Sequence, residues 1–342
     1  MGLLGGSDGA VGLELDAGEA RAVELRGRAN APTLAAWGRI ALPVGAVVDG
    51  AVAQPETVGR ALADLWVTAG IGTREVVLGV VNQDVLVRFA TFPKVPRDKL
   101  ANVIRYQAHE YLPIALDTAV WDFAVIGEKP GTKPPLLEVL LVAARREMVN
   151  GFLAALSAAR LTPRDIDVAS LALLRLLPPY AEQSGAVVLM DVSNCLSTVL
   201  IVAGGVPRLA RIVPVGLDEA CGLLGCSPAE VVASQDSERP VVWPPEVLQS
   251  WGEALETEIR SSVGYYQAQP GAEAVGKVIL SGRGARVPGL RRMLEESLGV
   301  GVTILDPLKG IKFRGPGPEI KPAADFAVSI GLARRGLEGR KS

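Results

Sequence analysis

The chain has 342 residues, with 35 Lys+Arg against 37 Asp+Glu, one His and three Cys, a length that accommodates two domains at about 150 residues each. A formal net charge of -2 supplies no basic field to hold nucleic acid or an anionic membrane surface, so partners must be recognised locally. Cys195, Cys221 and Cys226 are odd in number and lack C-x-x-C spacing, which argues against a disulfide framework and a zinc site and for a reducing compartment.

In chain order, the opening MGLLGGSDGAVG is too Gly-rich and too poor in positive charge for a signal peptide. Val11 to Leu15 and Ala20 to Arg26 alternate around Asp16-Ala17-Gly18-Glu19, which predicts a strand, a tight turn and a second strand. Thr33 to Pro43 follows as a third strand, and Thr57 to Val67 carries Val58, Ala61, Leu62 and Leu65 at helical spacing. From Val76 the texture changes. VVLGVVN, VLVRFATF, WDFAVIG and LLEVLLVAA read as strands around a helix from Arg97 to Tyr111, the pattern of a small inserted β-rich subdomain. Lys129 to Pro135 is a breaker-rich loop between the last two strands. Arg145 to Ala159 and Ala169 to Leu177 read as helices, and Pro178-Pro179 followed by Gly185 marks the boundary between halves.

The second half restarts the grammar of the first. AVVLMDV, LSTVLIVA and VPRLARIVPV are three successive strands, an internal duplication of supersecondary structure. The apolar run from Ala186 to Gly204 is interrupted by Asp191, Ser193 and Asn194, too polar for a membrane span. A long helix is expected from Pro245 to Gln269, then a strand from Val275 to Leu280 and a loop from Ser281 to Gly284. A helix from Val287 to Leu298 with Pro288 near its start, and a last one from Asp325 to Arg335, complete the chain.

Two halves that each open on strand, turn and strand, and each end near a Gly-rich strand-to-helix loop, resemble the actin-type ATPase superfamily. The nearer resemblance is to the type IV pilus assembly PilM family. It runs through Gly12-Leu13-Glu14-Leu15-Asp16 with Arg21 as the following basic residue, Pro93, RYQAHEYLP from Arg105 to Pro113, Asp117, VWDFAV and VAARREMV from Val142. It continues through DVSNCLST, VPVGLDE, LSGRGARVPGL and FAVSIGLARRG. The stretch RYQAHEYLP is the most specific part.

This resemblance implies an α/β, actin-like fold, a duplicated ribonuclease H-like core with an inserted β-rich subdomain in the first half. Residues 1–75, completed by 145–182 and a closing helix at 324–336, would form the first half, 76–144 the insertion and 183–323 the second half. It implies a cytoplasmic adaptor or scaffold at the inner face of the inner membrane, serving the assembly platform of a type IV pilus or related type II secretion system. The expected partner is the cytoplasmic N-terminal peptide of a PilN-like membrane protein, received between the insertion and the first core subdomain, with Val87, Phe89, Ile104 and Leu112 as lining. An assembly motor or inner-membrane core protein, and self-association into a ring, are further partners it implies. The membrane is reached only through partners, and no nucleic acid is expected. The alternative is an ATP-switched actin-like ATPase that assembles into rings or filaments.

In this fold the two hairpin turns grip nucleotide phosphates through backbone N–H groups, and glycine lets the backbone approach. The residues so implied for ATP and magnesium are Glu14, Asp16, Arg21, Asp191, Ser193, Asn194, Ser197, Thr198, Gly216, Gly282, Arg283 and Gly284. Several depart from the family pattern. Glu14 stands for its Asp, Asp16 and Ser193 for its glycines, Leu217 for the second of paired glycines and Arg283 for a small residue. Another register reads Asp16-Ala17-Gly18 as the D-x-G unit but moves the basic position to Val23, so the register that keeps Arg21 is preferred. Ala229 to Ala233 lacks the lysine of the family's helix. Asp191 and Arg21 leave ATP open. No side chain is identifiable as a hydrolytic base, no catalytic residue is nominated and no metal ligand set stands out. His109, Cys221 and Cys226 read as ordinary packing or surface residues.

Overall fold

The computed structural model describes residues 9–129, 134–177, 185–228, 230–231, 242–313 and 323–338. Alternation brings β1 (Gly9–Asp16) and β2 (Glu19–Arg28) into an antiparallel hairpin in which Asp16 faces Glu19 and Ala17-Gly18 makes the turn. Gly18 sits at φ 77°, a left-handed conformation that only glycine adopts cheaply. Strand β3 (Ala31–Ala41) extends the meander, and β4 (Val47–Val48) with β5 (Ala51–Val52) forms a small hairpin before α1 (Pro55–Thr68). That helix starts on Pro55, whose missing N–H costs nothing there, and buries Val58, Leu62, Leu65 and Trp66.

Next comes β6 (Glu75–Val80), buried from Val76 onward and parallel to β1. The chain then leaves the first sheet. Strand β7 (Leu86–Pro93), α2 (Arg97–Gln107), a 3-10 turn at Ala108–Glu110, β8 (Ala119–Lys129) and β9 (Leu136–Arg145) build a separate sheet of order β7-β9-β8. Phe92, Leu100, Ile104, Ala108, Leu112, Val139 and Leu141 give this unit its own core. The chain returns through α3 (Arg146–Ala158) and β10 (Thr162–Val168), which lies parallel to β6. A short helix α4 (Ala169–Ala172) runs into a 3-10 turn at Leu173–Leu176.

In the second half, β11 (Ala186–Val192), β12 (Ser197–Ala203) and β13 (Val206–Val213) repeat the meander, followed by α5 (Leu217–Leu224) and the long α6 (Pro245–Gln267). Strand β14 (Val275–Ser281), a 3-10 turn at Gly284–Arg286, α7 (Leu290–Leu298) and β15 (Gly301–Ile304) complete it. Strand β16 (Lys312–Phe313), a 3-10 turn at Ala323–Phe326 and α8 (Ala327–Glu338) cross back to the first half.

Among the described residues, the first sheet runs β10-β6-β1-β2-β3-β16 and the second β13-β12-β11-β14-β15. Counted within each half, both carry the order third, second, first, fourth, fifth, with the first three strands antiparallel and the last two parallel. This is the duplicated ribonuclease H-like core of the actin-like fold. Helix α8 lies so close on β1 that a Cβ on Gly12 would come within 1.9 Å of the Ser329 carbonyl oxygen.

The structure corrects three expectations. The insertion does not begin at residue 76, because Glu75–Val80 is an interior strand of the first sheet; its unbroken apolar run is the mark of a parallel strand covered on both faces. The second half does not hold everything up to residue 323, since Lys312–Phe313 pairs with Thr33–Leu34 of β3. The helix expected from Val287 begins at Leu290, because Gly289 takes a left-handed φ of 91°. The proline pair at 178–179, residues 130–133 of the breaker loop, and Ala229, Val232 and Ala233 lie outside the described residues.

Candidate functional site

Residues facing one another across an antiparallel ladder share a face, as do residues two apart on a strand. Glu14 lies opposite Arg21, Asp16 opposite Glu19, and Arg21 opposite Arg39, so five charged side chains gather on one face of β1, β2 and β3. Arg21 is at their centre, with its guanidinium 2.9 Å from Glu14 Oε1, 3.3 Å from Asp16 Oδ2 and 3.3 Å from Glu19 Oε1. It is only 1% exposed. Arg39 donates to Asp325 Oδ2 at 3.2 Å, comes within 3.7 Å of Glu19 and lies over the Phe326 ring.

The second hairpin meets the first. The Asn194 backbone N–H donates to Asp16 Oδ2 at 3.0 Å, and Asn194 Nδ2 donates to the Ala17 carbonyl at 2.8 Å. Arg283, arriving from the loop after β14, donates to Glu19. Asp191 accepts from Ser193 Oγ at 2.9 Å and from Ser281 Oγ at 2.6 Å. Thr198 shares Asp191's face as its cross-strand partner, whereas the Ser197 hydroxyl is turned to the Val215 carbonyl. Of these two candidate hydroxyls, Thr198 is therefore the one on the cleft side. Gly216 brings its turn against this hairpin, where a Cβ would lie 2.1 Å from the Asn194 carbonyl oxygen. A Cβ on Gly282 would lie 2.6 Å from the Val192 carbonyl oxygen, and one on Gly284 2.3 Å from Val192 Cγ1, so both glycines let the loop after β14 close onto the end of β11.

The structure thus brings together Glu14, Asp16, Arg21, Asp191, Ser193, Asn194, Thr198, Gly216 and Arg283. It adds Glu19, Arg39, Ser281 and Asp325, which sequence reasoning did not nominate. Glu19 was within reach, being two residues from Arg21 on the same strand face. Asp325 arrives by long-range folding and carries no local signal.

Burial pushes the Glu14 carboxyl up to about 7 even though Arg21 pulls it down. Burial likewise raises Asp191, against the two serine hydroxyls that favour its charged form. For Arg21 the neighbouring carboxylates outweigh burial and hold the guanidinium protonated. The ATP and magnesium implied by the fold do not fit these residues. Phosphate oxygens need N–H donors and cations, yet the Asn194 N–H serves Asp16 and Arg21 is shared among three carboxylates. Like charges 4 Å apart cost about 4 kcal/mol at an effective dielectric near 20, and Asp16 and Glu19 stand on the hairpin itself. Among the described residues, no His, Cys, Asp and Glu group is arranged to hold a metal ion.

A second candidate lies beside the insertion. A cavity of about 790 Å³ opens between β7 and β13, lined by Val87, Arg88 and Phe89 on one side and Arg208 to Arg211 on the other, with Tyr265 of α6 at its wall. A smaller one of about 230 Å³ continues along Val85 to Arg88 and Ala210 to Ile212. Both strands end their sheets. Consecutive residues line the space on each side, the mark of strands presenting edges, because a face would present every second residue. Arg208 pairs with Glu138 at 2.9 Å and Arg211 with Glu258 at 3.2 Å, while Arg88 Nη1 donates to the Val87 carbonyl. The expected partner groove lies between the insertion and the first core subdomain, whereas this cavity lies between the insertion and β13 of the second half; of the four apolar residues expected to line that groove, Val87 and Phe89 are here. Ile104 and Leu112 are 0% and 2% exposed in the insertion's own core and offer no surface. Tyr106 of RYQAHEYLP stands 81% exposed, whereas Tyr111 packs against Phe92 at 5.5 Å between ring centroids. His109 Nδ1 lies 2.8 Å from the Tyr106 carbonyl on the helix surface.

A model of the family described as type IV pilus assembly protein PilM matches residues 12–337. Among solved structures, the chain is similar to one described as a PilM-PilN type IV pilus biogenesis complex, at 24% identity and a TM-score of 0.82 over 96% of this chain and 98% of that one. It is more distantly similar to the ethanolamine utilization protein EutJ from Carboxydothermus hydrogenoformans, at 12% identity and a TM-score of 0.55 over 95% and 89% of the two chains.

Proposed function

We propose a function that starts from one fact: the chain belongs to the type IV pilus assembly protein PilM family. It acts as an adaptor of a type IV pilus assembly platform, taking an extended cytoplasmic segment of a PilN-like membrane protein into the cavity between β7 and β13. The observation that carries this reading is the cavity of about 790 Å³ lined by consecutive residues of two sheet-ending strands. Such edges offer main-chain groups to an added strand, and pockets between them sort its alternate side chains.

The lining suits an amphipathic segment. Half-buried Phe89 is its main apolar contact, with Val87 and Leu209 largely buried behind it, and Arg88, Arg208 and Arg211 supply guanidinium groups. Among the described residues no helix is long and apolar enough to cross a membrane, so attachment to the inner membrane comes through the partner. The similar solved structure, a PilM-PilN complex, supports this choice of partner. Pulldown of this chain by the immobilised cytoplasmic N-terminal segment of a PilN-like membrane protein from the same organism is the test. Retention at physiological salt is expected, and failure to retain it would overturn the reading.

A further inference from the structure

The phosphate cleft of this fold is bridged by bonds that the chain makes with itself. Asp16 and Glu19 flank the turn of the first hairpin, in the first half. Asn194 belongs to the second hairpin and Arg283 to the loop after β14, both in the second half. Three hydrogen bonds join them: the Asn194 N–H to Asp16 Oδ2 at 3.0 Å, Asn194 Nδ2 to the Ala17 carbonyl at 2.8 Å, and Arg283 to Glu19. Asp16, Glu19, Asn194 and Arg283 are each buried.

An anion held by a backbone N–H of one hairpin and by an arginine of the adjoining loop is the arrangement a bound phosphate would make. Here two carboxylates of the other hairpin divide those roles, Asp16 on the Asn194 N–H and Glu19 on the Arg283 guanidinium. We infer that the carboxylates of Asp16 and Glu19 take the place of nucleotide phosphates, so that this chain clasps its two halves together with its own side chains and holds the closed arrangement without nucleotide. The remaining charges agree with this. Arg21 is enclosed by Glu14, Asp16 and Glu19, and Arg39 is held by Asp325 and Glu19, which leaves these two cations of the first half engaged with resident acids. Gly216 and Gly282 pack their backbones tightly against Asn194 and Val192, which fixes the second hairpin and the loop after β14 against each other. Burial holds Glu14 partly protonated near neutrality, which eases the crowding of acids around one guanidinium. The clasp stands independently of the docking reading, because its residues lie apart from the β7–β13 cavity and its test involves no peptide.

Amide hydrogen exchange on the nucleotide-free full chain tests it. The Asn194 amide is expected to exchange at least about 100-fold more slowly than an unstructured amide, and magnesium-ATP at about 1 mM, enough to fill sites of micromolar affinity, is expected to leave that rate unchanged. Asp16→Gly removes the carboxylate and is expected to speed exchange at Asn194 by about tenfold or more. Asp16→Ser, which keeps a side chain on the strand but removes the charge, serves if the glycine variant does not fold. Open-loop exchange at Asn194 in the wild-type protein, further protection of Asn194 on adding magnesium-ATP, or an unchanged rate in a folded variant would each overturn the inference.

Discussion

Arg21 is the residue on which the charged face depends. Removing one member of a buried ion cluster leaves the others uncompensated, at a cost of about 3–5 kcal/mol. Arg21→Met should therefore lower the unfolding free energy by that much, seen as a lower denaturant midpoint at an unchanged m-value, the signature of a pure stability change. Glu14 adds a pH dependence of definite sign. Its carboxyl titrates near 7 in the folded chain against 4.5 in an unstructured one, so between those values the folded state binds more protons and stability falls as pH rises. The Glu14 contribution is largest below about 4.5, is lost progressively through about 7 and amounts to roughly 3 kcal/mol. Denaturant midpoints measured from pH 4.5 to 7.5 should show Glu14→Gln with a correspondingly flatter decline than wild type; parallel curves would contradict this assignment. At this scale the sequence was legible where strand periodicity and turn chemistry applied, as in the hairpin turn at Ala17-Gly18; the facing of Glu14 and Arg21 follows from that register once the turn is fixed, whereas Asp191 was placed by the family resemblance. Arg39 and Asp325 were not legible, because the first joins through cross-strand register and the second through a return of the chain 286 residues after Arg39.

The elements followed from composition with similar unevenness. Helices α1, α3 and α6 stand close to where apolar spacing put them, and the three antiparallel strands of each half came from alternation. The boundary of the insertion did not. Val76–Val80 and Leu86–Phe92 both read as mostly apolar strands, and only pairing decides that the first lies beside β1 and the second beside β9. The insertion has its own core, so damage there should stay local. Phe92 is fully buried, and Phe92→Ala should cost about 3–5 kcal/mol. Hydrogen exchange should report that loss in β7, β8, β9 and α2 while β1 and β11 keep their protection. Loss of protection throughout would mean that the insertion is not a separate cooperative unit. Gly12 lies at a different junction, under α8. Gly12→Val should displace that helix, seen as faster exchange along Ala327–Glu338, because its Cβ would meet the Ser329 carbonyl within van der Waals contact.

On the scale of the whole molecule, the duplication carries the design. Two sheets of one topology place two hairpins face to face, and the chain closes them on a carboxylate clasp; the insertion then sets β7 beside β13 on another part of the surface. The restart of strand grammar at Ala186 was enough to read the duplication from sequence. The cavity was not readable, since its walls come from β7, β13 and α6, segments far apart in the chain whose adjacency is settled only by packing. The docking of a partner there is the central claim, and fluorescence anisotropy addresses it most directly. A labelled cytoplasmic segment of the PilN-like partner is titrated with the wild-type chain and with folded Phe89→Glu and Arg88→Glu variants. Saturable binding weakened at least about tenfold by each substitution, or about 1.4 kcal/mol, is the predicted result; no binding to wild type, or equal binding to all three chains, would contradict it.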